Sequence, residues 1–220
     1  MTFTTRDKQA RCAALGFHPG PIDGIPGPRT RAAIAALMDH RGVSRVNDIF
    51  HGSGLHRIHW HWTAGAEGVI DLELNHYNFV IDHGGKPHEG VYSLRAQSGY
   101  SPERGAYHTW RANTGAIGLA VDCMAGAWER PFDPGTAPMT SAQLGALVDL
   151  SAELGMTHDI PVSRFSMLSH AEVQPTLGIR QKQKWDITWL PGMAKPGDPI
   201  EVGDRIRAMV RRKLEMKWAA

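Results

Sequence analysis

Apolar and polar positions recur along this chain with two periods, and each period marks a kind of element. In Ile58-His59-Trp60-His61-Trp62-Thr63-Ala64-Gly65 the spacing is two. Strand side chains point to opposite faces in turn. A strand over 57–63 therefore presents His59 and His61 on one face and Trp60 and Trp62 on the other, and it ends at the Ala64-Gly65 turn. Further strands are predicted over 76–82, which is rich in β formers and closed by His83-Gly84-Gly85, over the apolar run 117–123, and over 165–168. The helical period appears elsewhere. It predicts a helix over 6–15 closed by Gly16, and one over 29–40 behind Pro28 with Ile34, Leu37 and Met38 on one face. A helix over 141–154 has Thr140 as its N-cap, Leu144, Leu147, Val148 and Leu154 on one face, and Gly155 as its stop. A last helix, over 201–216, carries Val202, Ile206, Met209, Val210 and Leu214, with basic residues in its final turns. Residues 67–75 are mildly helical.

Between these elements lie turns. Residues 16–28 pack Pro and Gly too densely for regular structure. Residues 41–55 read as a linker with one short apolar patch. Residues 84–116 read as a long loop scattered with Tyr92, Tyr100, Tyr107 and Trp110, and loops of that length in a compact domain are usually functional. Residues 171–192 form another long segment. Helices followed by strands mixed with helices predict an α/β fold, a mixed central sheet flanked by helices, behind a small all-α module. The expected division is 1–45 for the helical module, 46–55 for the linker and 56–220 for the main domain.

Composition narrows the function. The formal net charge of +2 is too small to argue for nucleic acid as partner. Two cysteines, Cys12 and Cys123, make neither a disulfide framework nor a cysteine-rich zinc knuckle. No run approaches a membrane span, and residues 1–9 lack the apolar core of a signal peptide. The expectation is a monomer made in the cytoplasm, without membrane insertion, that reaches any extracellular target by another route. Histidine, at 12 residues, is in excess and leans toward metal or proton chemistry. His61 at a strand end, His170 just past another strand and Asp186 sixteen residues later supply two imidazoles and a carboxylate. With an open fourth position that is a recurrent catalytic zinc set. The residues alone leave it open against a plain strand with satisfied histidines.

Two resemblances bear on that choice. Leu15-Gly16-Phe17, Asp23-Gly24, Gly27-Pro28, Thr30 and the alanine-rich helix after it resemble the peptidoglycan-binding domain of cell-wall hydrolases over residues 6–42. The blocks HWTAG, HYNFVID, NTGAIGLAV and SHAEVQP…KWDI, in that order over residues 56–192, resemble the type 2 N-acetylmuramoyl-L-alanine amidases. That family includes phage endolysins and is related to the peptidoglycan recognition proteins. The resemblance implies an amidase/peptidoglycan-recognition-like fold. It also implies zinc-dependent hydrolysis of the amide between N-acetylmuramic acid and L-alanine, with bacterial peptidoglycan as partner. It implies an endolysin role in phage bacteriolysis, with holin-mediated release to the cell wall.

Position by position, the resemblance makes His61, His170 and Asp186 the zinc ligands, Tyr77 the tyrosine beside the metal and Lys184 the group facing the oxyanion. Asn113 and Trp62 are expected to shape the substrate groove. Ala120 and Asp122 stand where many members carry a glutamate, so Asp122 is a general-base candidate only if it faces the zinc. Asn78 stands where some members carry a histidine after the tyrosine. His59 is expected in core or rim packing, His76 and His108 as loop histidines, Cys123 as a minor alternative ligand, and Glu172 as a helix-start or surface charge. The alternatives are a non-catalytic peptidoglycan-binding protein, whose relatives lose the third ligand, and a zinc peptidase acting on the stem peptide.

Overall fold

The computed structural model describes residues 3–50, 54–99, 101 and 103–218; Tyr100 and residues 51–53 of the expected linker lie outside them. Helices α1 (Thr5–Ala14) and α2 (Pro28–Arg41) come first, followed by a 3-10 turn, Val46–Phe50. The main domain runs β1 (Arg57–Trp62), α3 (Asp71–Leu74), β2 (Phe79–Ile81), β3 (Pro87–Glu89), α4 (Leu94–Gln97), β4 (Ala116–Val121), α5 (Ser141–Thr157), β5 (Met167–Ser169), α6 (His170–Leu177) and α7 (Pro199–Trp218). The five strands form one sheet in the order β3-β2-β4-β1-β5. All neighbours are parallel except the edge pair β2 and β3. This is the expected mixed sheet flanked by helices.

The alternation in β1 and β4 sorts their side chains between two layers. Ile58, Trp60 and Trp62 of β1 and Ile117, Leu119 and Val121 of β4 join one apolar cluster. Leu147, Val148 and Ala152 of α5 and Val202, Ile206 and Val210 of α7 close it. Trp60 also donates from Nε1 to Ser151 Oγ on α5 at 2.9 Å, which satisfies its one polar atom. The opposite face of β1 carries Arg57, His59 and His61, and all six residues of the strand are buried. A half-buried strand was the simpler expectation; this one is central and parallel, with both faces covered.

The N-terminal helices help provide that cover. Asp7 of α1 pairs with buried Arg57 at 3.2 Å, and Arg11, also buried, reaches Asp159 at 3.3 Å. Arg6 donates to the carbonyl of Leu177 at 2.8 Å. Ala10 packs in a cluster with Ala112, Leu168, Val173 and Leu177. Within 41–55, where a linker was expected, Ile49 and Phe50 are buried with Phe3, Cys12, Ala33 and Leu37.

Other elements differ from expectation in informative ways. Helix α5 runs through Gly155 to Thr157. A Cβ at Gly155 would stand 2.6 Å from Met167 Cε, so the glycine lets the helix approach β5 rather than ending the helix. Residues 84–116 contain β3 and α4, and residues 67–75 are helical only over Asp71–Leu74. Helix α6 occupies the start of the expected long segment; it is eight residues long with Pro175 inside, too short to show a periodic stripe. Among the described residues no helix is long and apolar enough to cross a membrane.

Candidate metal centre and groove

His61 sits near the C-terminal end of β1, and His170 is the first residue of α6, directly after β5. The two strands are neighbours, with Trp60 paired to Ser169, so the parallel register alone brings the two histidines side by side. Their ring centroids are 4.7 Å apart. Asp186 arrives on the segment after α6. Lys182 and Gln183 take left-handed φ values of 49° and 58°, a sharp turn of the kind that carries strain at functional sites. The Asp186 carbonyl then accepts from Ala171 N at 2.7 Å, pinning the segment to α6.

Asp186 Oδ2 lies 3.1 Å from His61 Nδ1 and 3.2 Å from His170 Nδ1. Three donors on a tetrahedral ion with bonds near 2.0–2.1 Å stand about 3.3 Å apart, so the spacing suits such an ion. Among the described residues this is the one group of three metal-binding side chains whose donor atoms converge.

The donor set itself fits a cation. Burial pushes the His61 pKa down to about 4, so the ring is neutral and has one proton. Burial works to raise Asp186, but the His170 and His61 imidazoles outweigh it and hold the carboxylate below its usual range. An anionic carboxylate facing two imidazole nitrogens in a buried place needs either two N–H donors or a positive ion. His170 Nε2 already faces the amide oxygen of Gln181 at 2.9 Å. His170 thus faces an oxygen acceptor at each ring nitrogen, and a cation at Nδ1 would satisfy the carboxylate without a second ring proton.

Residues not singled out from the sequence surround this centre. His108 was expected as a loop histidine; it does lie outside regular elements, but it is buried against His61, with His108 Nδ1 3.3 Å from His61 Nε2. Thr109 Oγ1 is also 3.3 Å from that nitrogen. His59, fully buried, places Nδ1 3.1 Å from Thr109 Oγ1. A signal for His108 was present in Ala116-Ile117-Gly118-Leu119-Ala120-Val121, where every second residue is small. A Cβ on Gly118 would stand 2.6 Å from the His108 ring, so the small face of β4 makes room for this imidazole. Nothing in the local pattern pointed to Gln181.

Beside the centre lies a groove of about 900 Å³. Trp62, Tyr77, Asn113, His170, Lys184 and Asp186 all line it. Trp62 meets Trp185 edge to face at 4.8 Å, and Tyr77 lies 5.2 Å from the His61 ring. Burial raises the Tyr77 pKa, as do the Asp186 and Glu73 charges, so its phenol stays protonated. Lys184 is exposed. Asn113 Oδ1 accepts from the backbone of His108 at 3.0 Å and of Thr109 at 2.7 Å, holding the groove wall in shape. On the outer wall Arg104 stacks over Tyr107 at 4.9 Å, and Trp110 is 64% exposed.

Of the remaining candidates, only His76 lines the groove. Asp122 accepts from Gly68 N at 2.7 Å and does not line the groove. Cys123 is buried in the apolar cluster, away from the three converging donors. Glu172 does start a helix, accepting from Ser169 N at 2.8 Å, but it is no surface charge: it is fully buried against Arg207. His76 is exposed.

The family model Amidase_2, described as N-acetylmuramoyl-L-alanine amidase, matches residues 49–193. No curated protein matches the chain. Among solved structures, the chain is similar to the N-acetylmuramoyl-L-alanine amidase LysC from Clostridium intestinale URNW, at 18% identity and a TM-score of 0.42, covering 73% of this chain and 89% of that one. It is also similar to the endolysin amidase LysCS from the same organism, at 17% identity and a TM-score of 0.42, covering 73% and 87%. A third is the Drosophila peptidoglycan recognition protein SA, at 18% identity and a TM-score of 0.37, covering 55% of this chain and 70% of that one.

Proposed function

The chain belongs to the Amidase_2 family of N-acetylmuramoyl-L-alanine amidases, and from that premise we propose that it is a zinc hydrolase that cuts the amide between N-acetylmuramic acid and L-alanine in peptidoglycan. What carries the reading is the convergence of His61 Nδ1, His170 Nδ1 and Asp186 Oδ2 at one end of the groove. These three side chains would hold the ion. Zinc in a site of this kind supplies Lewis acidity toward a carbonyl and acidifies water near neutral pH.

The chain's own residues supply the rest. The groove is large enough to take a muramyl-peptide segment, since ligand sites commonly span roughly 300–1,000 Å³. Trp62, Tyr107 and Trp110 offer ring faces for sugar and peptide to pack on, and Asn113 keeps the wall around them in shape. Tyr77, protonated, donates a hydrogen bond toward the reacting carbonyl or water. Lys184 brings positive charge to the developing oxyanion, a type of interaction worth about 3 kcal/mol when preorganised. Its exposure lets it swing over bound substrate.

Residues 1–45 act as a wall-binding module on the catalytic domain 56–220, and the protein works as a phage-type endolysin released to the wall. Asp186 favours catalysis over recognition alone, because a binding protein has no need of a third ligand.

The test is a zinc count on the purified protein together with end-group analysis of digested sacculi. About one zinc per chain and new L-alanine amino termini, without new reducing sugar ends, are expected. Asp186→Ala should abolish both zinc retention and lysis while sparing wall binding. New reducing ends alone, or new termini only within the stem peptide, would overturn the assignment.

A further inference from the structure

Both imidazoles facing Asp186 present Nδ1, and for Nδ1 to bind an ion the ring must carry its proton on Nε2. A neutral imidazole can carry its proton on either nitrogen, and the hydrogen bond made by the distal nitrogen selects which. Two separate chains of contacts make that selection.

For His170 the chain begins at the groove wall. Gln181 Nε2 donates to the Trp110 carbonyl at 2.9 Å, and Gln181 N donates to Gln174 Oε1 at 2.9 Å. The bond from Nε2 to the Trp110 carbonyl orients the amide with Oε1 toward His170 Nε2, at 2.9 Å, while the backbone bond to Gln174 anchors the residue. An amide oxygen only accepts. His170 must carry a proton on Nε2, which leaves Nδ1 as the nitrogen that can bind an ion beside Asp186.

For His61 the chain begins in the sheet. His108 Nε2 is 3.1 Å from the Ala116 carbonyl, a fixed backbone acceptor in β4. That carbonyl is nearer than Gln97 Nε2, at 3.4 Å, and Gln97 already donates to the Asn113 carbonyl at 2.6 Å, so a neutral His108 carries its proton on Nε2 and a lone pair on Nδ1. That lone pair, with Thr109 Oγ1, faces His61 Nε2. Thr109 Oγ1 also touches His108 Nδ1, at 2.9 Å. His61 donates from Nε2 into this pair, and its Nδ1 is free of a proton.

We infer that Gln181 and His108 are positioning residues that hold the two ligand imidazoles in the Nε2–H form, and that Gln181 ties this hold to the groove wall through the Trp110 carbonyl. The inference rests on the zinc reading above. It extends that reading from the three ligands to the residues that prepare them before the ion arrives. Outer partners of this kind commonly control metal affinity by about 10–100-fold. The Trp110 link has a further consequence. Trp110 lines the groove and is exposed, so a sugar or peptide pressed against it bears on the loop that orients His170.

The experiment uses the metal-free full chain with isotope-labelled histidine. Long-range proton–nitrogen NMR correlations report which ring nitrogen bears the proton, and zinc titration against a chromophoric chelator reports affinity. In the wild type His61 and His170 should both carry a proton on Nε2. Gln181→Met should mix the tautomers at His170 only, and His108→Phe at His61 only, each weakening zinc about 10–100-fold. Gln181→Glu keeps an acceptor and should keep the His170 tautomer. Melting curves of the metal-free variants separate these effects from misfolding, and the wild-type spectrum decides the matter even if a variant fails to fold. Nδ1–H rings in the wild type, or unchanged tautomers and zinc affinity in both variants, would overturn the inference. A wild type that binds no zinc yet shows Nε2–H rings would instead overturn the zinc reading.

Discussion

At the residue scale, buried histidine is the unusual commitment of this protein. His56, His59, His61 and His108 are all buried with pKa values depressed primarily by desolvation. His56 lies apart from the metal centre, edge-on to Phe3 and Phe50, with Nδ1 at 3.1 Å from the Gly54 carbonyl. Its pKa is pushed down to about 3 by burial and then by Arg57, against the opposing pull of Asp7. An unfolded histidine titrates near 6.5. Between these values the unfolded chain takes up a proton that the folded chain refuses. The contribution of His56 is therefore full above about pH 6.5 and is lost as the pH falls toward 3. Urea unfolding at pH values near 7.5 and 5 should show the wild type losing stability on acidification, and His56→Phe should lose less by up to one proton's worth of slope. An identical acid dependence in the variant would show that His56 is not held neutral by the fold.

At the element scale, the position of His170 depends on a buried ion pair two helices wide. Glu172 of α6 accepts from Ser169 N and pairs with Arg207 of α7 at 2.8 Å, both side chains wholly buried. Arg207 also donates to the Met167 carbonyl in β5 at 2.7 Å. One guanidinium thus ties α7 to the strand and helix that meet at His170. Removing one partner of such a pair leaves an uncompensated charge and costs about 3–5 kcal/mol. Arg207→Leu should lower the unfolding free energy by that amount in chemical denaturation. Adding Glu172→Gln should recover part of the loss, because it removes the stranded charge. A double variant no better than the single would place the loss in packing instead.

For the whole molecule, the N-terminal helices are packed on the main domain. Arg57–Asp7, Arg11–Asp159 and the Ala10 cluster join them to β1, the end of α5, β5 and α6. Deleting residues 1–50 would strip Arg57 of its carboxylate and expose Leu168 and Leu177. The truncated protein is expected to melt several degrees lower than the full chain and to lose amidase activity along with wall binding, since domains of this size shift by about 2–4 °C per kcal/mol. An equal melting temperature with activity intact would mark the helices as an independent appendage.

The local patterns were sufficient for the long helices, the central strands β1 and β4, and the order of blocks that identifies the ligand candidates. The helices and strands rest on periodicity, capping and turn chemistry, which act within a few residues; the ligand candidates rest on the family resemblance that the blocks carry. Short elements such as α6 and β3 left no periodic trace, and Gly155 looked like a stop because its neighbour in space, Met167, lies twelve residues further along the chain. Only the tertiary structure decided that Arg57 and Glu172 are buried, that the apparent linker contributes core residues, and that His108 and Gln181 stand behind the candidate ligands. Those outcomes depend on which strand ends lie side by side and which loops fold over them, and that information is shared between segments well separated in the chain.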